Sequence, residues 1–181
     1  MKKLNIYALI MTILFVSCSK DDDPVAVNEE EVITTLTVTL VPSDASANII
    51  LKTQDLDGDG PNAPVVTVSG DLKASLAYRG SMKFENETET PAEDITLEVV
   101  EEADEHQVFY TVASGLSMIV TSTKDDSAGN PLGTEFNLST NVASTGKLTF
   151  TLRHEPKKPN TGLADAGGST DIEATFDIVI K

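Results

Sequence analysis

Thr35-Leu36-Thr37-Val38-Thr39-Leu40 puts apolar side chains on one parity and hydroxyls on the other. Successive side chains of an extended chain point to opposite faces, so this spacing predicts a strand with one buried face and one wet face. The same period continues downstream. Leu72, Leu76, Tyr78, Met82 and Phe84 share a parity against Lys73, Ser75, Arg79, Ser81 and Lys83. Ile95, Leu97 and Val99 alternate with Thr96 and Glu98. Val108, Tyr110 and Val112 follow, then Leu116, Met118 and Val120, then Phe136 and Leu138, then Leu148, Phe150 and Leu152. Ile172, Phe176, Ile178 and Ile180 close the chain against Asp171, Glu173 and Asp177. Residues 48–53 and 65–68 read as shorter strands. Past the N-terminal segment no window holds a helical period. About ten strands result, divided by turn chemistry such as Ser69-Gly70-Asp71, Gly129-Asn130-Pro131 and Ser144-Thr145-Gly146. One buried face per strand implies two sheets packed face to face. The expected fold is all-β, an antiparallel β-sandwich of immunoglobulin-like architecture, with a closed barrel as second choice. The immunoglobulin pairing of two cysteines around a Trp is missing, so that likeness is architectural only.

The chain before this body has a different character. Lys2 and Lys3 lead into a mostly apolar run over residues 4–16, about the length of a signal-peptide core and too short to span a bilayer. Ser17-Cys18 ends it, and Ser19-Lys20-Asp21-Asp22-Asp23 follows. This resembles a bacterial lipoprotein signal, in which a peptidase cuts before the cysteine and the thiol carries lipid; Phe15 stands where Leu is usual. The lysine followed by acids resembles the lipoprotein export signal of Bacteroidota, which implies display on the outer face of the outer membrane. The expected organisation is a signal peptide over 1–17, a lipidated Cys18 with an acidic linker over 18–31, and a single β-sandwich domain over 32–181. The linker, with Pro24 and the acids Glu29, Glu30 and Glu31, reads as extended and solvated.

Composition narrows the functions. Net charge is −16 for 181 residues, which disfavours nucleic acid and anionic lipid surfaces and favours cations. Cys18 is the only cysteine, so no disulfide forms within the chain and packing must stabilise it. Trp is absent and Tyr is scarce, which counts against a stacked sugar-binding platform. No Gly-x-Ser-x-Gly, phosphate loop or dinucleotide fingerprint occurs, and an enzyme is not expected.

Two constellations could hold a cation. In Asp55-Leu56-Asp57-Gly58-Asp59-Gly60 the acids alternate before a glycine, as in the first half of a calcium loop. The twelfth position is Val66 rather than a bidentate Glu, so the alternative is an acidic turn closed by ordinary Asp and Gly chemistry. The second constellation joins Glu101-Glu102-Ala103-Asp104-Glu105-His106 to Arg153-His154-Glu155-Pro156. His106 keeps the parity of Val108 and Tyr110, and His154 that of Phe150 and Leu152, so both point inward at strand ends. If the four strands between them alternate up and down, both fall at one end of the sandwich. The 154–170 loop, carrying Glu155 and Asp165, leaves from there. Imidazoles with carboxylates suit Zn²⁺ or another transition metal. The candidate ligands are His106, His154, Glu102, Asp104, Glu105, Glu155 and Asp165; the plain alternative is two rim histidines bonded to local backbone. Counting reversals at the strands near residues 65, 72 and 95 puts the 55–60 turn at the opposite end. Asp126-Ser127-Ala128 is a shorter match, similar to an O-glycosylation site of Bacteroidota.

The 55–60 motif with Asn62-Ala63-Pro64, the 103–110 segment, and Arg153-His154-Glu155-Pro156 through Ala166-Gly167-Gly168 to Phe176 together resemble a group of small Bacteroidota outer-membrane lipoproteins. Some of these carry the label "type 1 periplasmic binding fold" protein, and they are similar to lipoproteins that accompany TonB-dependent receptors. That label implies an α/β fold, in conflict with the period of two found here. The anchor, the acidic charge and the two rim histidines together lead to the expectation of a surface-anchored ligand-capture or accessory module for outer-membrane uptake, with a metal ion or metal complex as cargo and Zn or Ca as the cation. Its expected attachments are the outer membrane, through lipid on Cys18, and a TonB-dependent receptor. The competing expectation is a structural or adhesive surface β-sandwich with no small-molecule site.

Overall fold

Alternation becomes strand wherever one parity can be buried. In the computed structural model, which describes residues 31–58 and 60–181, Thr35–Pro42 forms β1 and buries Leu36, Val38 and Leu40. The expected signal segment, Cys18, the expected linker up to residue 30, and Asp59 lie outside the described residues. The chain continues through β2 (Ile49–Gln54), β3 (Val65–Val68), β4 (Ala77–Asn86), β5 (Glu93–Asp94), α1 (Thr96–Glu101) and β6 (His106–Val112). Then come β7 (Met118–Ser122), β8 (Glu135–Thr140), β9 (Ser144–His154), α2 (Leu163–Ala166) and β10 (Ser169–Ile180). The larger sheet runs β3-β2-β1-β4-β8-β7 with β5 on the end of β4; the smaller runs β10-β9-β6. All the strand pairings are antiparallel.

The inward parities of the two sheets meet in one core. Leu36, Val38, Leu40, Phe84, Phe136 and Leu138 come from the larger sheet, and Leu148, Phe150, Leu152, Phe176 and Ile178 from the smaller. Phe150 is the hinge of this packing: its ring centroid lies 5.8 Å from Phe136, 6.0 Å from Tyr110 and 6.0 Å from Phe176. Burying such a side chain stabilises by about 1.5–3 kcal/mol. Backbone covers the edges of the smaller sheet. Leu72 N–H donates to Val179 O (2.8 Å) beside β10, and Val108 N–H in β6 donates to Leu132 O (2.7 Å). Neither edge is left to pair with another chain along those stretches.

One expected strand is not a strand. Ile95 and Val99 are buried while Leu97 between them is 66% exposed, so burial recurs at i and i+4 and the segment folds as α1. Asp94 Oδ1 accepts Thr96 N–H (3.1 Å), and Thr96 Oγ1 accepts Phe84 N–H (2.9 Å), fixing this turn on the end of β4. The strand expected near residue 72 also starts later. Leu72 makes an isolated bridge to Ile180, Ser75 has φ of 54°, and β4 begins at Ala77.

Because α1 does not cross the body, one reversal disappears from the strand count. Register within each sheet, and the contacts of Glu31 with His106 and His154 between the sheets, gather the start of β1, the ends of β2 and β4, the start of β6, the end of β9 and the start of β10 at one end of the sandwich. The 55–60 turn leaves β2 at that same end and shares a cleft with Glu31 and Asp171. The expectation that it sits opposite the histidines is overturned by the helical 96–101 segment.

Candidate metal centre

His106 opens β6 and His154 closes β9, and the register makes them direct cross-strand partners. Their rings lie 4.7 Å apart between centroids, tilted by 40°. Beside them β10 carries a bulge: Thr170 pairs with Arg153 and Ile172 with Leu152, so Asp171 is the extra residue. A bulge re-aims the side chain it inserts. Asp171 thereby turns inward, with its side chain 1% exposed, although strict alternation from Phe176 and Ile178 assigns it to solvent. The fourth group is Glu31, in the segment leading to β1. Its side chain is 4% exposed, against the solvated linker position expected of it.

These four side chains face one another. Glu31 Oε1 is 2.9 Å from His106 Nε2, and Oε2 is 3.2 Å from His154 Nδ1. Asp171 Oδ2 is 4.0 Å from His106 Nε2, and Oδ1 is 3.8 Å from His154 Nδ1. One donor atom from each residue falls within 4.8 Å of all the others. His106 and His154 are 0% and 2% exposed.

The hydrogen bonds fix which atoms can donate an electron pair. His106 Nδ1 sits 3.1 Å from Glu102 O, and a carbonyl only accepts, so Nδ1 carries the hydrogen. In the neutral ring Nε2 then presents a lone pair to Glu31. That nitrogen makes no hydrogen bond despite its 2.9 Å approach, and neither do His154 Nδ1, His154 Nε2 or Glu31 Oε2. A close approach outside hydrogen-bond geometry is what donors show when they converge on a point between them. Facing lone pairs at this distance repel unless a proton or a metal cation lies between them, and the missing hydrogen bonds at these nitrogens favour the metal. Ligands of a tetrahedral Zn²⁺ with bonds of 2.0–2.1 Å stand about 3.3 Å apart. The four close separations, 2.9 to 4.0 Å, bracket that value. Two nitrogens with two oxygens suit Zn²⁺ or a neighbouring transition metal, whereas Ca²⁺ wants six to eight oxygens.

The surroundings brace this end. A backbone N–H bond from Glu155 to Glu105 O (2.7 Å) ties the end of β9 to the turn before β6. Lys158, with a side chain 7% exposed, donates to Ala103 O (2.7 Å), His106 O (2.6 Å) and Asp126 Oδ2 (3.2 Å). Burial alone would raise the Asp126 carboxyl, but donors from Asn130 and Lys158 hold it below its usual range. Gly168 (φ +71°) packs directly on the His154 carbonyl, where a Cβ would overlap the oxygen and come within 2.9 Å of the Glu155 carbonyl carbon. Glu98 and Glu102 crowd Glu31 from α1; burial pushes the Glu98 carboxyl up and the charge of Glu31 adds to it.

The other expected ligands divide. Glu105 and Glu155 are exposed, yet each brings an oxygen within 4.8 Å of a His154 nitrogen. Glu102 serves His106 through its carbonyl. Asp104 instead binds Ser127, accepting its N–H (3.1 Å) and its hydroxyl (2.8 Å). Asp165 accepts the Thr161 N–H (2.9 Å), which holds its carboxyl below the usual range. Neither Asp104 nor Asp165 belongs to the four-residue cluster. In the 55–60 turn, Asp57 Oδ2 accepts from Asn62 Nδ2 (2.7 Å) and Asp55 Oδ1 accepts from Asp57 N–H (3.3 Å), an Asx-type turn closed on itself. An open cleft of about 700 Å³ runs between this turn and the cluster, with Ile33, Leu56 and Ile172 in its walls. Among the described residues no helix is long and apolar enough to cross a membrane.

Compared with protein-family models, with curated proteins and with solved structures, the chain has no match.

Proposed function

We propose that this chain is a lipid-anchored protein of the outer-membrane surface that holds a divalent transition metal, Zn²⁺ first, as a capture or accessory module for uptake. The observation that supports the metal is the convergence of four buried donors, Glu31, His106, His154 and Asp171, in geometry that makes no hydrogen bonds at the imidazole nitrogens facing the carboxylates. The anchor rests on Cys18 and the Lys20-Asp21-Asp22-Asp23 run, and the resemblance of the 55–64, 103–110 and 153–176 segments to Bacteroidota lipoproteins implies a TonB-dependent receptor as partner. Nucleic acid is disfavoured by the charge of −16. The test is metal analysis of the full chain purified without chelator, followed by calorimetric titration with Zn²⁺ and Ca²⁺. The expected result is a single Zn²⁺ per chain, absent from His106→Ala. A metal-free protein with a flat Zn²⁺ titration sinks the reading.

A second reading has its own supporting observation. All four donors are protein side chains and all are buried, the pattern of a closed structural site. Three belong to the smaller sheet and Glu31 leads into β1 of the larger, so a metal there would staple the sheets of a structural or adhesive surface module. Exchange separates the two readings. A cargo ion leaves the folded protein to a chelator, whereas a staple leaves only as the protein unfolds.

A further inference from the structure

The cleft beside the cluster has a lining of one charge sign. Glu31, Asp55, Asp57, Asp171 and Glu173 all contribute carboxylates to it, and among the described residues no Lys, Arg or His does. Two of these five are the oxygen donors of the buried cluster. His106 and His154 do not line the cleft. A cation arriving from this side therefore meets Glu31 and Asp171 before it meets either imidazole. Glu31 is nine-tenths buried, and its Oε2, which makes no hydrogen bond, stands at the boundary between cleft and cluster.

The remaining three acids make local bonds that use only part of each carboxylate's acceptor capacity. Asp57 is exposed and its carboxyl is held ionised by Asn62, while Asp55 is half-buried. Glu173 is exposed and accepts one bond from Thr151 Oγ1 (3.1 Å). Like charges set around one concavity repel each other, and a low-dielectric wall focuses their field into the opening.

We infer that this cleft is a loading vestibule, an outer site where a hydrated divalent cation collects on Asp55, Asp57 and Glu173 before Glu31 and Asp171 draw it onto His106 and His154. The inference rests on the metal-centre reading. The ion loses water in steps, first to carboxylate oxygens that bind hydrated cations readily, then to the two nitrogens that fix its identity. No bond is made or broken in the protein, and the protons that leave are only those held by the donors themselves. The vestibule sets how fast the centre fills, and the buried donors set how slowly it empties.

The experiment is stopped-flow mixing of the metal-free full chain with Co²⁺, read by the visible absorption that Co²⁺ gains in a low-coordinate nitrogen and oxygen site. The variant is the triple Asp55→Asn, Asp57→Asn, Glu173→Gln. The control is a second triple of equal charge change outside the cleft: Asp71→Asn, Glu135→Gln, Asp177→Asn. The cleft triple is expected to load about tenfold more slowly or worse, with a flatter dependence on salt and a release rate within about twofold of the parent. The control triple is expected to load like the parent. Equal loading by parent and cleft triple overturns the vestibule and leaves the metal centre standing, as does equal slowing by the control. Failure of the parent itself to acquire the Co²⁺ spectrum overturns both.

Discussion

Two groups of carboxylates lie at the same end of this sandwich and differ in what they lack. In the 55–60 turn the oxygens of Asp55 and Asp57 accept from residues two and five positions away and stand in water. In the cluster, Glu31 and Asp171 are buried against two imidazoles whose facing nitrogens find no hydrogen bond. The turn carries the denser motif, yet its local bonds satisfy it. The cluster draws its four residues from four separate parts of the chain, and its imidazole nitrogens facing the carboxylates make no hydrogen bond. Unmet bonding in a buried place marks a site more strongly than crowding of one residue type.

The largest contrast comes from replacing one member on each side. His106→Ala removes a buried donor and is expected to weaken Zn²⁺ binding more than about 100-fold, beyond the effect of losing an outer partner. Asp57→Asn should leave the equilibrium affinity within a few-fold. Equal losses in the two calorimetric titrations would erase the distinction drawn above.

Lys158→Met tests whether the bracing behind the cluster matters. It removes three hydrogen bonds and leaves Asp126, whose side chain is 1% exposed, without its cation. The expected loss is about 3–5 kcal/mol in urea unfolding, with part recovered when Asp126→Asn is added. An unchanged midpoint would show that the start of β6 needs no such clamp.

Gly168→Ala acts on the backbone under His154. A Cβ at φ +71° meets the His154 carbonyl, so about 1–3 kcal/mol of stability should be lost and Zn²⁺ affinity should fall with it. Loss of stability with unchanged affinity would separate the β9 end from the centre.

Acid gives a smaller effect. The folded Asp126 carboxyl lies below its unfolded value, so its contribution is present above about pH 4 and disappears as pH falls through the folded value. Asp126→Asn should lack that part of the acid transition. The smallest expected change is in the turn itself: Asp55→Asn should shift stability by less than about 0.5 kcal/mol. A larger shift would mean that the turn, too, holds something.

How far the sequence was legible follows from the same physics. Half-buried strands leave a period of two, so β1, β4, β9 and β10 could be read directly. The placing of His106 and His154 at one end was also legible, because inward parity and four alternating strands suffice for it; that they pair directly across β6 and β9 was not. The 95–99 segment was not. Ile-x-Leu-x-Val fits a strand, and only the exposure of Leu97 tells a helical turn from an extended one. That misreading carried the 55–60 turn to the wrong end. Asp171 was hidden by its bulge, since one inserted residue reverses parity without changing composition. Glu31 was hidden because it follows two other glutamates, and composition does not tell the three apart.

Glu31 also has a mechanical meaning. The chain passes Glu31 just before joining β1, whose two neighbours hold it by ladders running nearly its whole length. A pull arriving along the chain from before residue 31 reaches this carboxylate ahead of those ladders. Its contacts with His106 and His154 lie across the two sheets, so tension at this point loads the smaller sheet as well as the larger. With a metal in place, the force needed to peel the first strand would depend on a coordination bond, and the resistance of the body to a pull from before residue 31 would vary with the ions around it.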